Sequence, residues 1–320
     1  MSTRRRLSAL TKQTIKQRFA ATEEADSTSS SVDYFAGWEE SDYPLFLDSD
    51  FDPLEAWWMA ELCRLIYTPD SKEFTRIWHA NKPDRNEILE ERTPFHELLD
   101  VHKTGHHASI YEIKDGGTVL CFRGTSKPGQ WISNLVFHPH EWSRFRDPDN
   151  PETEGGYVHS GFYVVFKRIW PLIWPTLRLA KRPWIFTGHS MGGALAMIAN
   201  AVAGADKVFT FGSPRPGNGT FARISSENTF RIVNQQDIVP LLPTKDRNMG
   251  DKEFYHGGQC LWIKEPGALA DDITEHSGNQ PWKLLEDWAK SSESLTSLPP
   301  WIRHHYAGEY CKELRKIQNS

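Results

Sequence analysis

The chain has 320 residues, 38% hydrophobic and 25% charged, which is enough to bury a sizeable core. No apolar run approaches the roughly 18 residues that a transmembrane helix needs. The formal net charge of −5 argues against general nucleic-acid binding. A soluble globular protein without a nucleic-acid partner is therefore expected.

The amino-terminal residues 1–32 predict a basic and Ser-rich tail that is disordered. Residues 1–20 carry six Lys or Arg and no acid, and residues 21–32 are polar and rich in serine. Because residues 1–20 have no apolar signal core, a cytoplasmic location is expected, with peripheral membrane contact as an option. A membrane-surface helix or an organelle transit peptide stays open for this stretch. We expect the folded domain to cover residues 33–320.

The next elements are a helix, a hairpin and a second helix. Apolar residues spaced by three and four predict a helix over residues 54–67. Residues 107–113 and 118–122 flank an Asp-Gly-Gly turn and predict a β-hairpin. Residues 162–170 predict a helix that Pro171 and Pro175 should end, since proline disrupts a helix interior.

Short buried strands that alternate with helices predict an α/β fold with a mainly parallel sheet and helices on both faces. The strands are expected at residues 184–187, 208–211 and 230–233, with a helix over 192–203. Residues 138–156 and 265–300 are polar and predict surface insertions. Cys63, Cys121, Cys260 and Cys311 form no CxxC pair, which argues against a thiolate zinc site and a disulfide framework.

The strongest chemical motif is Gly-His-Ser-Met-Gly at residues 188–192. It follows the apolar run 184–187 and precedes a helix of small residues. This is the strand, sharp turn and helix that a nucleophile elbow requires, with the Ser190 hydroxyl at the top of the sheet. The alternative is a helix-start turn without chemistry.

A serine nucleophile needs a base and an orienting acid. In α/β-hydrolases, the acid and then the histidine base follow the serine in the sequence, so we look for both after Ser190. Asp237 comes after the predicted strand 230–233, where catalytic groups gather, although a turn or capping role is equally consistent. Among the downstream histidines, His304 and His305 precede a terminal amphipathic helix and suit a base above the sheet. A surface histidine pair is the alternative for them. His256 is read as structural, and His276 lies in the polar insertion.

Several segments together resemble the class 3 lipases, the filamentous-fungal type of α/β-hydrolase, over about residues 55–315. They occur in the family's order: VLCFRGTS at 119–126, VHSGFY at 158–163, TFGSPRPGN at 210–218, RIVNQQDIVPLLP at 231–243 and FYHGGQCLWI at 254–263. The resemblance implies an α/β-hydrolase fold and a serine hydrolase activity.

The resemblance also implies roles for individual residues. Ser190 corresponds to the nucleophile and Asp237 to the acid. The family's base stands in an Asp-His pair with a Tyr five positions later, a pattern that His305 and Tyr310 fit. His304 then occupies the place of that Asp, which leaves the choice between His304 and His305 open, with His305 favoured. Thr125 and Met191 correspond to the oxyanion-hole residues, and His189 to a packing residue.

The predicted activity is a lipase-like carboxylic ester hydrolysis through an acyl-enzyme on Ser190, with no cofactor and no metal. The His-Pro-His-Glu run at 138–141 is read as solvated loop. In the family, the segment equivalent to 127–137 is a helical lid, and its apolar residues here suit either a lid or core packing. Expected partners are acylglycerols or other lipid esters, with transient membrane or lipid-droplet contact. The alternatives are a phospholipase or short-chain esterase, and a catalytically silent binding or regulatory protein.

Overall fold

The fold is known from a computed structural model that describes only part of the chain. The described residues are 13–14, 17, 33–36, 50–68, 85–114, 116–125, 139–141, 156–243, 250, 252–265, 268–270, 283–284, 287 and 299–318. Nearly all of the predicted tail 1–32, and all of the lid candidate 127–137, therefore lie outside the described residues. Most of the predicted insertions 138–156 and 265–300 lie outside them as well.

An eight-stranded mixed sheet forms the centre of the molecule. Its strands, in spatial order, are β1 (Phe95–Lys103), β2 (His106–Ile113), β3 (Thr118–Phe122), β6 (Trp184–His189), β7 (Lys207–Phe211), β9 (Thr229–Asn234), β11 (Gln259–Glu265) and β12 (Ala268–Ala270). The strands from β3 to β11 are parallel, whereas β1, β2 and β12 run antiparallel to their neighbours. This arrangement confirms the predicted mainly parallel α/β fold and the hairpin of β2 and β3.

Helices cover both faces of the sheet, as predicted. The helices that the structure describes from end to end are α1 (Pro53–Leu65), α2 (Arg85–Arg92), α3 (Ser160–Leu177), α4 (Met191–Ala203), α5 (Gly219–Ile224), α6 (Pro300–Arg303) and α7 (Ala307–Gln318). A second, four-stranded sheet joins β10 (Phe254–Tyr255), β8 (Gly217–Asn218), β5 (Tyr157–His159) and β4 (Pro139–Glu141). No helix within the described ranges is both long and apolar enough to cross a membrane.

The prediction that Pro171 and Pro175 end the second helix is wrong, because α3 continues through both prolines to Leu177. The two prolines are four residues apart on the exposed side of the helix. The carbonyl groups that lose their amide partners therefore face water, which satisfies them. On the opposite side, Ile169, Ile173 and Leu177 stay buried against the sheet and hold the helix together.

The start of segment 265–300, which the sequence predicted as a surface insertion, instead belongs to the central sheet. Residues Ala268–Ala270 form β12, which pairs antiparallel with β11 and adds an edge strand to the central sheet. An Ala-Leu-Ala segment this short has no period-two pattern that identifies a strand, so only the neighbouring strand determines its conformation.

The two largest hydrophobic cores among the described residues lie on opposite faces of the central sheet. The first packs α1, α2 and α7 on one face, and it includes Trp57, Trp58 and Tyr310. The second packs α3 and α4 on the other face, around Phe166 and Phe186. In the first core, Lys207 of β7 forms a buried ion pair of 2.6 Å with Glu55 of α1. All four cysteines are buried free thiols.

Trp58→Ala is expected to lower the free energy of unfolding by about 3–5 kcal/mol, because it leaves a large cavity in the first core. Trp58 is fully buried between Phe35, Trp57 and Phe95. Trp174→Ala is the matched control, since Trp174 is 38% exposed, and it should cost less than half as much. Chemical denaturation of both variants measures the difference, and equal losses would contradict the assignment of Trp58 to the core.

Candidate active site

Ser190 lies in a sharp turn between β6 and α4. Its backbone has φ 59° and ψ −130°, a conformation that residues other than glycine seldom adopt. The Ser190 amide donates to the carbonyl of Phe211, at 2.8 Å, and Gly193 donates to the carbonyl of Ser190, at 3.0 Å. These two bonds hold the turn at the carboxyl end of β6, with the Ser190 side chain nearly buried.

The two glycines of the motif allow the backbone to approach itself closely. A Cβ atom at Gly188 would lie 2.2 Å from the Gly192 carbonyl, and one at Gly192 would lie 2.1 Å from the Phe122 carbonyl oxygen. The start of α4 thus presses against the ends of β6 and β3. Any larger side chain at either position would push the Ser190 turn away from the sheet.

Asp237 and His305 meet at the same edge of the sheet. The His305 Nδ1 atom donates to Asp237 Oδ2 over 2.8 Å, and the Val239 amide donates to Asp237 Oδ1 over 2.9 Å. Asp237 is completely buried and follows β9, while His305 lies in the turn between α6 and α7. The position after β9 that the sequence indicated for Asp237 thus brings this carboxylate to the histidine pair.

Tyr310 completes the surroundings of the Asp237 carboxylate. Its hydroxyl donates to Asp237 Oδ2 at 2.6 Å and accepts from the Asn234 amide at 3.1 Å. Burial, together with the negative charge of Asp237, raises the pKa of Tyr310 well above its ordinary value. The phenol therefore stays protonated and acts as a fixed donor to Asp237.

Gly212, immediately after β7, leaves the space in which these three groups meet. Its φ is +57°, and a Cβ atom there would lie 2.6 Å from Asp237 Oδ2 and 2.9 Å from both His305 Nδ1 and the Tyr310 hydroxyl. Glycine is required at this position for two reasons: the positive φ, and the short distances from the Asp237, His305 and Tyr310 side chains to any Cβ atom. The sequence motif at 210–218 contains this glycine, but its spacing gave no indication of the role.

His304 points to a different partner from that of His305. Its Nδ1 atom accepts a hydrogen bond of 3.2 Å from the Gln236 amide, and its carbonyl accepts one of 3.1 Å from Asn234 Nδ2. Burial and the neighbouring Arg303 lower the pKa of His304. Of the two adjacent histidines, His305 is therefore the one that is hydrogen-bonded to Asp237.

His189 does more than fill space beside the elbow. Its Nε2 atom donates to the His305 carbonyl at 2.5 Å, so its Nδ1 atom accepts from the Tyr67 hydroxyl at 3.0 Å. Burial, together with the nearby His305, holds the pKa of His189 well below its ordinary value, which keeps the ring neutral. Tyr67, which follows α1 and which no motif singled out, thus helps to fix the backbone of His305.

Thr125 lies beside the Ser190 turn, just after β3. A Cβ atom on the preceding Gly124 would lie 3.0 Å from the Ser190 Cβ atom. The Thr125 hydroxyl lies 3.8 Å from the sulfur of Met191, the first residue of α4. Both residues that the resemblance assigned to the oxyanion hole are therefore adjacent to Ser190.

The remaining candidates lie apart from this cluster. His256 donates from Nε2 to the Pro240 carbonyl at 2.7 Å, which agrees with the structural reading. His140, in the run 138–141, stacks on Tyr163 with 3.8 Å between ring centroids. His276 lies outside the described residues.

Among the residues that the structure describes, one group has the composition of a metal site, namely Asp100, His102 and His107 on β1 and β2. Arg85 pairs with Asp100 at 2.9 Å and lies 3.2 Å from His107 Nε2. Burial alone would raise the pKa of Asp100. Hydrogen bonds from His102 and His107, together with the charge of Arg85, instead hold this pKa well below its usual value. Because the guanidinium already supplies the positive charge, we interpret this group as an ion-pair network.

Curated relatives match parts of the chain. A lipase of Rhizopus niveus is 31% identical over 166 residues, which are 45% of this chain and 38% of that protein. The secreted mono- and diacylglycerol lipase 1 of Fusarium solani is 31% identical over 137 residues, or 39% of each chain. The chain thus spans less than two-fifths of the length of these two relatives.

Solved structures match more of the chain. The lipase of Rhizopus microsporus var. chinensis has a TM-score of 0.56 at 21% identity, covering 81% of this chain and 89% of that one. Lipase II of Rhizopus niveus has a TM-score of 0.53 at 22% identity, covering 79% and 92%. The family model for lipase (class 3) matches residues 119–247, which include Thr125, Ser190 and Asp237. This segment of the chain is similar to the class 3 lipase family.

Proposed function

We propose that residues 33–320 form the catalytic domain of a serine carboxylic ester hydrolase that cleaves lipid esters through an acyl-enzyme on Ser190. One observation carries the proposal. A serine in a strained turn after β6 shares the carboxyl edge of the sheet with a histidine hydrogen-bonded to a buried aspartate. This combination of nucleophile, base and orienting acid supports acyl transfer.

In the proposed reaction, Ser190 attacks the ester carbonyl and His305 accepts its proton. The bond to Asp237 keeps the His305 proton on Nδ1, so the Nε2 atom carries the lone pair that accepts a proton. The buried carboxylate then stabilises the imidazolium that forms. His305 returns the proton to the leaving alcohol. A water molecule then gives a proton to His305 and attacks the acyl group, and Ser190 leaves with that proton as the free acid is released.

The backbone amides of Thr125 and Met191 are the proposed donors to the oxyanion. Met191 is the first residue of α4, and its amide belongs to the helix amino terminus, where negative charge is favoured. Loss of one oxyanion donor typically costs about 10²–10³ in rate. Neither this step nor the proton transfers require a metal or a cofactor.

Acylglycerols are the proposed substrate class, because relatives of this chain are named lipases and mono- and diacylglycerol lipases. Such substrates aggregate in water, so the proposal includes transient contact with a membrane or a lipid droplet. Other lipid esters would use the same chemistry at Ser190.

Ser190→Ala should abolish hydrolysis of p-nitrophenyl esters, with a loss of at least about 10³-fold in kcat. Initial rates over a series of rising acyl length, for wild type and variant in parallel, test this. Turnover that survives the substitution would refute the role of Ser190. A folded wild type without turnover on any chain length would favour the silent binding protein.

His305→Asn should lower kcat at least about 10³-fold, whereas His304→Asn should lower it less than about tenfold. Asn is a matched replacement, since its side-chain oxygen can take over the bond that His304 Nδ1 accepts from Gln236. Steady-state kinetics on one soluble ester compare the two variants. A larger loss in the His304 variant would transfer the role of base to His304.

Gly212→Ala should reduce kcat by about 10²-fold or more, because the added methyl group would displace His305 from Asp237. Gly204→Ala is the control. Its φ of +68° is similar, but nothing lies within 4 Å of the added atom. Both variants should lose stability, and only the first should lose activity. Equal kinetics in the two would mean that the crowding at Gly212 does not matter.

A further inference from the structure

The outward side of α3 exposes an unusual amount of apolar surface. Six large hydrophobic side chains are exposed among the described residues, and four of them fall within residues 164–179. These four are Val164, Leu172, Trp174 and Leu179, and Leu179 is 76% exposed. Scattered apolar residues on a surface need no explanation, but a group on one helix and the turn that follows it indicates an interaction surface.

The same surface is strongly basic. Residues 160–205 contain five Lys or Arg and no acidic residue, although the chain as a whole has a net charge of −5. Lys181 pairs with Glu112 and Arg182 pairs with Asp206. Within the part of the chain that the structure describes, Lys167, Arg168 and Arg178 make no ion pair with a carboxylate.

The charged and apolar side chains alternate around the exposed side of α3. At 3.6 residues per turn, Lys167, Trp174 and Arg178 fall on one line along the helix. Arg168 and Leu172 fall on a second line, which Leu179 follows in the turn after the helix, and the exposed prolines lie between the two lines. Every part of this surface therefore offers both an apolar group and a positive charge.

We propose that the exposed side chains of residues 164–179, here called the α3 outer surface, bind the surface of an anionic phospholipid bilayer. The leucines and Trp174 suit the boundary between head groups and acyl chains, where indole rings are favoured. The cations meet phosphate and carboxylate groups of the lipids, each contributing about a fivefold increase in binding. Because residues 160–205 contain no acidic residue, an anionic surface is the complementary partner of the α3 outer surface.

Binding through this surface leaves the proposed reaction centre uncovered. α3 ends at Leu177, close to the start of β6, whereas Ser190 follows the other end of β6. The α3 outer surface therefore serves recruitment and not catalysis. This inference does not depend on the proposed ester hydrolysis, so the two are tested separately.

Vesicle co-sedimentation of the full chain tests the proposal. Wild type should bind phosphatidylcholine vesicles with about 30 mol% phosphatidylserine more tightly than pure phosphatidylcholine, and less tightly as salt rises. Arg168→Gln/Arg178→Gln should lower the partition coefficient at least about tenfold. Leu172→Gln/Leu179→Gln should weaken binding to a similar extent. Both double variants should keep the wild-type rate on a soluble ester.

Arg92→Gln/Lys312→Gln is the matched control. It also removes two exposed cations, but from α2 and α7 on the opposite face of the sheet. This control should bind vesicles like wild type. Equal losses of vesicle binding in the control and the α3 variants would overturn the assignment. Normal binding by the α3 variants would also overturn it and would transfer binding to another segment, such as residues 1–20. Absence of vesicle binding, with a dimer in sedimentation velocity that the α3 variants dissociate, would instead make the surface a contact between copies of this chain.

Discussion

The buried carboxylate of Asp237 is the constraint on which the arrangement of this site depends. A carboxylate removed from water is unstable unless hydrogen-bond donors surround it. Here a backbone amide, a phenol and an imidazole supply those donors, from Val239, Tyr310 and His305. Because the donors come from the segment after β9 and from the last helix region, the carboxylate joins parts of the chain about 70 residues apart.

Two helices of the first core, α1 and α7, bring tyrosine side chains to the surroundings of Asp237 and His305. α1 ends just before Tyr67, which bonds to His189, and α7 contains Tyr310, which bonds to Asp237. The two helices are also linked directly, since the Gln318 side chain donates to the Pro53 carbonyl at 3.0 Å. Core packing on this face and the position of His305 are therefore mechanically coupled, and looser packing of α1 would act on the site through Tyr67.

The features that the sequence predicted well are those that local pattern determines. Apolar runs between turns located β6, β7 and β9, and the Gly-rich motif located the turn at Ser190. Contacts between distant segments were harder to foresee. Nothing near Tyr67 distinguishes it from a core aromatic, and the role of Gly212 depends on three side chains from two other segments. The choice between His304 and His305 likewise required the position of Asp237, because both histidines occupy the same turn.

The failed prediction for Pro171 and Pro175 and the character of the α3 outer surface both concern the exposed side of one helix. Proline is tolerated inside α3 because water supplies donors to the carbonyls that lose their amide partners on its exposed side, while the buried side holds the helix on the sheet. An exposed helix side in water is normally lined with mixed charges. This side instead has prolines, leucines, a tryptophan and cations without acids, so its composition opposes ordinary solvation. An apolar surface with positive charge is better matched to the interface of an anionic bilayer, which accepts apolar side chains and attracts cations.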